Sequence, residues 1–365
     1  MPENIESTLL RVAEVFHLEG EYLGYREIKV GHINETYELQ YLRGGEKVGY
    51  VAQRINMYVF KNPRIMMRNI DLVTRHIREK EPSAAMHFHH TASRENFWIM
   101  GGAFWRVSTL IPGIGIEDGA GAAGMRSAGR AFGLFQNYLA DFDASLLQET
   151  IPDFHHTRKR FDNLFRTVID DPCSRVRLCR EELYFVQSVR DLSCKITALW
   201  ESGEMPMRVT HNDTKTNNVI LDADTLEPRC VVDLDTVMPG LIVYDFGDAI
   251  RYGANTSAED ERDLSKVALD AASFRAFAEG FIGTTAPTLT EIELDNMALG
   301  AITMTMECGV RFLDDYLSGD KYFKIDYPEQ NLDRARCQFA LARNMIARLP
   351  EMNAIVREIY AKVKG

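Results

Sequence analysis

The sequence predicts an α+β fold with two lobes of unequal size, a small antiparallel sheet lobe over residues 1–110 and a large, mainly helical lobe over residues 111–365. The length of 365 residues suits two domains, or two lobes that share one cleft. The composition, 45% hydrophobic and 26% charged, is typical of an ordinary globular protein. The hydrophobic pattern alternates in much of the first part of the chain and has mostly helical spacing in the rest.

The sheet lobe is predicted from alternation and turns. Tyr37, Leu39 and Tyr41 alternate with other residues, and Gly44-Gly45 supplies a turn before a second strand-like run. Apolar residues at helical spacing lie on both sides of this hairpin. In chain order we expect a helix over 8–18, hairpin strands over 37–42 and 48–55, a helix over 63–79, and strands over 85–90 and 95–111.

The helical lobe follows a glycine-rich stretch at 112–124 that interrupts the pattern. Beyond it, apolar residues recur at intervals of three and four, as in Ala128, Ala131, Phe132 and Phe135. We expect helices over 125–142, 181–201, 259–282, 290–317 and 331–364, and short strands over 208–210, 219–221 and 230–232.

Charge and composition exclude several classes of protein. The 42 Lys and Arg residues face 53 Asp and Glu residues, and a net charge of −11 is unsuited to non-specific binding of nucleic acid. If such a protein binds a polyanion, a divalent cation is a candidate for screening the repulsion. No apolar run approaches the roughly 18 residues of a membrane span.

The six cysteines form no CxxC pair, which favours reduced, buried thiols. The acidic, helical start of the sequence does not resemble a signal peptide. We therefore expect a cytoplasmic protein that binds neither nucleic acid nor membrane.

The polar stretch between two short strands carries the strongest chemical pattern. His211, Asp213 and Asn218 stand in the order H-x-D-x-x-x-x-N, and Asp233 follows the next apolar strand. Phosphoryl transfer from a nucleotide needs one carboxylate near the acceptor hydroxyl, and an amide oxygen and a second carboxylate to hold Mg²⁺. Asp213 fits the catalytic base, and Asn218 and Asp233 fit the metal ligands. Lys215 fits a cation for the transferring phosphate, while His211 fits a residue that orients the loop.

A surface turn rich in Asn and Asp is the alternative interpretation of this stretch. Each residue taken alone favours that turn. The fixed spacing, the flanking strands and the aspartate at the end of the next strand together favour the catalytic interpretation.

These residues resemble the catalytic loop and metal-binding strand of the aminoglycoside phosphotransferase/choline kinase superfamily, which is similar in fold to protein kinases. Across about residues 25–340 the sequence motifs most resemble those of the N-acetylhexosamine 1-kinases. The resemblance implies a bilobal protein-kinase-like fold, ATP and Mg²⁺ as cofactors, a small-molecule acceptor such as an amino sugar, and Asp235 as a further metal ligand. The stretches that carry it are GHINETY at 31–37, QRIN at 53–56, HNDTK at 211–215, DLDTVMPG at 233–240 and YDFGD at 244–248.

By this resemblance the sheet lobe holds the nucleotide phosphates. The loop that begins at Gly31 faces them, with Asn34 and Thr36 as further contacts. On the strand at 51–55, alternation places Ala52 and Arg54 on one face. The small alanine then leaves room for adenine, and Arg54 replaces the usual lysine as the phosphate cation.

Two further expectations concern the nucleotide. Lys61 is the nearest alternative to Arg54, and the helix at 63–79 has no well-placed glutamate to pair with that arginine. A solvated arginine on an edge strand is the alternative interpretation of Arg54. Thr109 and Ile111 lie in the segment that the resemblance identifies as the hinge, whose backbone would bind adenine.

Acceptor residues are expected where charged and aromatic residues mix, at 307–323. Polar groups would bind sugar hydroxyls, and rings would cover the apolar sugar face. We predict Arg311 and Tyr322 there, with His32 reaching across from the sheet lobe. A helix end with solvated charges is the alternative interpretation of this segment.

Two other groups of residues receive non-catalytic interpretations. Asp245 and Asp248 are predicted to cap a helix and brace the catalytic loop. Alternation separates His87 and His89 from His90, so these histidines are not expected to form a metal site.

The sequence thus predicts an enzyme, an ATP- and Mg²⁺-dependent phosphotransferase that acts on the anomeric 1-hydroxyl of an N-acetylhexosamine. The same fold with another acceptor is the alternative: an aminoglycoside, choline, ethanolamine, homoserine or another sugar. A non-catalytic nucleotide-binding pseudokinase is a third hypothesis, and the intact Asp213, Asn218 and Asp233 argue against it.

Overall fold

A computed structural model describes residues 4–28, 34–116 and 121–365. It confirms the α+β class, because a small antiparallel sheet is joined to a larger helical lobe. The sheet lobe contains α1 (Ile5–Val15), β1 (Glu21–Ile28), β2 (Glu35–Arg43), β3 (Glu46–Ile55), α2 (Pro63–Lys80), β4 (Trp98–Met100) and β5 (Ala103–Thr109).

The strands of this lobe form one antiparallel sheet in the order β1-β2-β3-β5-β4. β2 and β3 are the predicted hairpin, and Gly44 and Gly45 turn between them with φ angles of 60° and 89° that glycine adopts at little cost. β1 was not predicted. The predicted strand at 85–90 is wrong, because only Phe88 bridges to Ser108.

The two faces of the sheet pack against different partners. Leu9 of α1 shares a buried cluster with Leu39 and Ala52, so α1 covers one face. On the other face, Ile55 and Phe104 belong to the main core, together with α2 and the helical lobe. Residues that alternate along β3 and β5 therefore point either to α1 or to the helical lobe.

The helical lobe is built mainly from long helices around short strands. Its elements are β6 (Ile114–Gly115), α3 (Gly121–Tyr138), α4 (Thr157–Asp170), α5 (Arg180–Ser188), α6 (Arg190–Ser193), α7 (Lys195–Glu201), β7 (Arg208–Thr210), β8 (Val219–Leu221), β9 (Pro228–Val231), β10 (Met238–Gly240), α8 (Ile242–Gly253), α9 (Ala271–Thr285), α10 (Glu291–Asp295), α11 (Met297–Ser318) and α12 (Gln330–Lys364).

Several helix predictions need correction. The single helix expected over 181–201 is broken into α5, α6 and α7, and α4 was not predicted. The helix expected over 259–282 begins later, because the Asp270 side chain accepts hydrogen bonds from Ala272 N (3.1 Å) and Ser273 N (3.3 Å) and so caps α9.

Helices α8 and α11 pack with their backbones unusually close. A Cβ at Gly247 would lie 2.3 Å from the carbonyl oxygen of Gly300, and a Cβ at Gly300 would lie 2.3 Å from that of Val243. Only glycine fits at both positions. The close contact fixes α8 and α11 as one platform beneath the polar loop.

Short strands hold that polar loop at its two ends. β7 pairs with β10, while β8 pairs with β6 and β9, so the loop between β7 and β8 is anchored on both sides. Within residues 4–28, 34–116 and 121–365, every helix is too short or too polar to cross a membrane.

Candidate active site

The loop between β7 and β8 is held rigidly at Asn212, whose φ of 64° is left-handed. Its backbone N–H donates to Asp245 Oδ1 at 2.8 Å, and its side-chain amide donates to Thr236 O at 2.9 Å. Its own Oδ1 accepts from Thr210 Oγ1 at 3.0 Å, and its carbonyl oxygen accepts from His155 Nε2 at 3.0 Å. These bonds fix the peptide that leads into Asp213.

Two aspartates of α8 brace the same loop, as predicted. Asp245 accepts from His211 N at 2.9 Å, and Asp248 accepts from Thr214 N at 3.0 Å. Burial raises the pKa of Asp245. At Asp248 burial is opposed by Arg251, with smaller effects of His155 and Lys215, and these charges together hold the pKa of Asp248 below its ordinary value. The capping part of the prediction is wrong, since α8 begins after Leu241 and both aspartates lie inside it.

The loop between β7 and β8 brings together the side chains of Asp213, Lys215 and Asn218. Lys215 Nζ lies 3.4 Å from Asp213 Oδ1, and the Asn218 amide donates to Asp213 O at 2.9 Å and to Asp213 Oδ2 at 3.4 Å. The charge of Asp213 raises the pKa of Lys215, which therefore stays protonated. A carboxylate and a cation thus share one partly open site.

His211 is buried and both ring nitrogens are engaged. Its Nε2 donates to Val232 O at 2.9 Å, because a carbonyl oxygen only accepts, and its Nδ1 accepts from Asp213 N at 3.3 Å. The ring therefore joins the catalytic loop to the end of the next strand. This placement suits the orienting role expected of it.

Asp233 and Asp235 lie on opposite sides of a tight turn after β9. Asp233 adopts a left-handed φ of 60° and opens to the cleft between the lobes. Crowding by protein and the charges of Asp235 and Asp213 raise the pKa of Asp233 above its ordinary value. Asp235 is buried and paired with Arg106, and it also accepts from Asn34 Nδ2 at 2.7 Å.

The structure corrects the expected position of Arg54. Its guanidinium lies 3.2 Å from Glu35, at a half-exposed site, and Ala52 on the same face packs beneath α1. The sheet register pairs Gln53 with Arg106, and these two side chains point to the helical lobe, where Arg106 Nε donates to Gln53 Oε1 at 2.9 Å. Ala52 therefore faces α1 and not the cleft where adenine was expected. Arg106, and not Arg54, is the arginine of the sheet that contacts the helical lobe.

Arg106 was not predicted, because alternation alone does not show which face of β3 is turned to the helical lobe. Arg106 is only 2% exposed and stands in the strand FWRVST, where a lone arginine between apolar residues was a usable signal. A buried arginine needs an acidic partner, and here that partner, Asp235, belongs to the helical lobe.

Asn34 and Thr36, two other predicted nucleotide residues, lie within the described residues. Asn34 bridges Asp235 and the Asn56 N–H (3.0 Å), and Thr36 Oγ1 accepts from Gln53 Nε2 at 3.2 Å, on the face turned to the helical lobe. Gly31, predicted to face the nucleotide, and His32, predicted to reach the acceptor, lie outside the described residues.

The predicted hinge borders a groove of about 600 Å³, which Thr109 and Ile111 line together with Tyr138 and Val231. The Thr109 N–H already donates to His87 O at 2.9 Å. The N–H of Thr109 is therefore engaged within the sheet lobe, and binding of adenine by the other backbone groups of the hinge stays a prediction.

The predicted acceptor residues Arg311 and Tyr322 lie together. The Arg311 guanidinium is 5.9 Å from the Tyr322 ring centre, 5.4 Å from that of Phe154 and 5.5 Å from that of Phe323. Asp315 holds the segment that carries these rings, since its carboxylate accepts from the N–H groups of 321–323 at 2.8–2.9 Å. We call Phe154, Arg311, Tyr322 and Phe323 the acceptor wall.

The acceptor wall is linked to the catalytic loop through His155 and Glu307. His155 Nδ1 lies 2.7 Å from Glu307 Oε1, and its Nε2 reaches Asn212 O. Phe154 precedes His155, and Arg311 lies one helical turn beyond Glu307 on α11. His155 was not singled out from the sequence, because its two partners lie 57 and 152 residues away.

In the part of the chain that the structure describes, no three His, Cys, Asp or Glu side chains form a metal site by themselves. Mg²⁺ is nevertheless compatible with these residues, because it is commonly held by one or two carboxylates together with substrate phosphates. Asp233 is open and crowded by negative charge, and Asn218 uses its amide nitrogen on Asp213, which leaves its oxygen as an acceptor.

Solved structures with a similar fold share this arrangement of lobes. One is a microcompartment-associated aminopropanol kinase, with a TM-score of 0.61 and 12% identity over 95% of this chain and 98% of that one. Another is choline kinase from Cryptosporidium parvum Iowa II, with a TM-score of 0.58 and 10% identity over 96% and 98%. Spectinomycin phosphotransferase in complex with ADP and spectinomycin has a TM-score of 0.57 and 11% identity over 100% and 99%. These likenesses confirm the bilobal protein-kinase-like fold.

The sequence itself matches a known family over most of its length. The sequence model described as "Phosphotransferase enzyme family" (APH) matches residues 24–279, which include the catalytic loop, the Asp233 turn and α8. The chain therefore belongs to the phosphotransferase enzyme family, and it has an aminoglycoside phosphotransferase/choline kinase-like fold.

Proposed function

We propose that this protein transfers the γ-phosphoryl group of ATP to the anomeric hydroxyl of an N-acetylhexosamine. The observation that carries the proposal is the meeting of Asp213 and Lys215, 3.4 Å apart, in a loop that is bonded through His155 to the acceptor wall. The resemblance to the N-acetylhexosamine 1-kinases supplies the acceptor. Asp213, Lys215, His211, Asn218 and Asp233 keep their predicted roles in this proposal.

In this mechanism the residues act mainly by positioning the acceptor and by neutralising the charge of the phosphoryl group. Asp213 orients the acceptor hydroxyl and takes its proton late, which an acidic anomeric hydroxyl makes easier. Lys215 balances the charge that develops on the transferring phosphoryl group. His211, Asp245 and Asp248 keep the loop fixed, so little reorganisation is needed in the transition state.

Asn218 and Asp233 are the proposed ligands of Mg²⁺, which would neutralise the triphosphate and polarise the bond to the γ-phosphorus. Asp235 keeps a supporting place in this proposal. Its two carboxylate oxygens are already bonded to Arg106 and to Asn34. Its proposed role is therefore to hold the turn that carries Asp233, and not to bind the metal directly.

The charges at the acceptor wall favour a neutral sugar over an amine. Arg160 donates to Phe154 O at 2.8 Å, and burial together with the nearby Arg311 charge lowers the pKa of Arg160. Two arginines therefore face this region. Of the nearby carboxylates, Glu307 pairs with His155, Asp153 pairs with Lys159 (2.6 Å), and Asp315 accepts from backbone N–H groups.

A screen of acceptors tests the proposal. With Mg-ATP, we expect N-acetylglucosamine or N-acetylgalactosamine to be phosphorylated with kcat/KM at least about tenfold above that for choline, ethanolamine, homoserine or an aminoglycoside. A charge repulsion of about 1.4 kcal/mol between the acceptor and the arginines is enough for a tenfold difference. Phosphorus NMR of the product should show phosphate on the anomeric carbon. Preferential turnover of an amine would support the alternative acceptor, and Mg-ATP binding without any turnover would support the pseudokinase.

A matched pair of arginine variants sharpens this screen. Arg311→Leu should raise the KM for the sugar about tenfold or more and leave the KM for ATP unchanged, because one planar polar anchor is lost. Arg343→Leu is the control, since Arg343 also stacks on a phenylalanine, Phe185 at 3.7 Å, but lies in α12. Equal effects of the two substitutions would remove Arg311 from the acceptor site.

Nucleotide binding should depend on divalent metal. Asp213, Asp233 and Asp235 gather negative charge where the triphosphate must lie, and Lys215 and Arg106 offset it only in part because each is already paired. By calorimetry, we expect EDTA to weaken ATP binding by about tenfold or more, and adenosine binding to change little. Equal affinity for ATP with and without Mg²⁺ would contradict the metal assignment.

A further inference from the structure

We propose that His155 is a positioning residue that carries a proton on both ring nitrogens and, held by Glu307, orients the peptide between Asn212 and Asp213. The proposal rests on the proposed role of Asp213 as the base. It extends that role by naming the group that couples the acceptor wall to the base.

The contacts of His155 assign the two ring protons. Nδ1 lies 2.7 Å from a carboxylate oxygen of Glu307, and Nε2 lies 3.0 Å from the carbonyl oxygen of Asn212. A carbonyl oxygen only accepts, and an ionised carboxylate only accepts. The ring must therefore donate from both nitrogens, which makes it an imidazolium.

The surroundings of the pair keep both charges. The His155 and Glu307 side chains are 7% and 1% exposed, so water does not compete for these bonds. Thr157 Oγ1 donates to the second oxygen of Glu307 at 2.8 Å. Burial alone would raise the pKa of Glu307, but the charges of His155 and Arg160 hold this pKa below its ordinary value.

Other elements packed around His155 add one more charge and one neutral group. From α8, Asp248 contributes a negative charge that favours the imidazolium, and the Tyr244 ring lies 5.6 Å from the His155 ring. Burial raises the pKa of Tyr244, so this phenol stays neutral. Glu307 and Asp248 are thus the two carboxylates that interact with the His155 ring.

The bond to Asn212 gives His155 a direct effect on the base. The Asn212 carbonyl belongs to the peptide whose N–H is that of Asp213, and this N–H points to His211 Nδ1. Rotation of this peptide would move the Asp213 carboxylate away from Lys215. An acceptor that contacts Phe154 or Arg311 would act on both ends of the His155–Glu307 pair, which ties sugar binding to the alignment of Asp213.

Nitrogen NMR of histidine-labelled full-length protein tests the protonation directly. Using His155→Gln to assign the signals, we expect both His155 nitrogens to show the protonated form at neutral pH, and Glu307→Gln to convert the ring to one neutral tautomer. A neutral His155 in the unaltered protein would overturn the proposal. This readout requires no acceptor, so it stands apart from failure of the proposed function.

The effect on the base is tested by a matched pair of histidine variants. His155→Gln should shift the backbone amide signal of Asp213 and lower kcat by about 10–100-fold, with the KM for ATP and Mg-ATP affinity unchanged, because small misplacements of a base have effects of this size. His156→Gln is the control, since His156 packs on Trp200, with ring centres 5.5 Å apart, and not on the loop. An unmoved Asp213 amide in folded His155→Gln would overturn the coupling, whichever acceptor is used.

Discussion

Replacing Asp213 with asparagine should lower kcat by about 10²–10⁴-fold, the usual contribution of a general base. The side chain would keep its size and its contact with Asn218 but could no longer take the proton of the acceptor hydroxyl. Affinity for Mg-ATP should stay the same or rise slightly, because one negative charge near the triphosphate is removed. Steady-state kinetics and calorimetry on the same preparation measure both quantities.

Asp222→Asn is the matched control for this substitution. Asp222 is also an aspartate beside β8, but its carboxylate pairs with Arg229 at 2.5 Å, outside the cleft. The control should keep near-normal kcat. If Asp213→Asn also kept near-normal turnover, Asp213 would not be the base, and another group would have to accept the proton.

Replacing Arg106 with methionine should lower the free energy of unfolding by about 3–5 kcal/mol, as expected when one partner of a buried ion pair is removed. Asp235 would keep Asn34 but lose the charge that balances it. The substitution should also weaken Mg-ATP binding, since the turn that carries Asp233 would lose its support. Urea unfolding and calorimetry provide the two measurements.

The same substitution has an internal control and a compensating partner. Adding Asp235→Asn to Arg106→Met should cost less than the sum of the two single changes, because the uncompensated charge is gone. Arg54→Met should change stability by no more than about 1 kcal/mol and leave ATP affinity intact, since its pair with Glu35 is half-exposed. Strong loss of ATP binding in Arg54→Met would instead support Arg54 as the cation that binds the phosphates.

The sequence was sufficient for features set by neighbouring residues. Fixed spacing in HNDTK and the following strand placed Asp213, Lys215 and Asn218 in one loop, and Gly44-Gly45 placed the hairpin turn. Spacing along one segment determines such features, because a few covalent bonds separate the residues concerned.

The sequence was insufficient where the outcome depended on distant partners. Alternation correctly grouped Ala52 with Arg54, yet it could not show that α1 covers that face, and so it favoured Arg54 over Arg106 as the arginine that faces the helical lobe. The segment 259–270 has polar residues that could continue a helix, but Asp270 caps α9 instead. His155 gained its importance only from partners on two other elements.

The distribution of buried apolar residues also determines how modular this protein is. One cluster lies between α1 and the outer face of the sheet, while the main core continues from Ile55 and Phe104 through α2 into the helical lobe. The side chain of Asn69 on α2 reinforces this continuity with bonds to Gln148 O (2.7 Å) and Val237 O (3.0 Å). The two lobes are therefore not independent folding units. Recombination between relatives at residue 110 would combine core residues from two different proteins in one shared core.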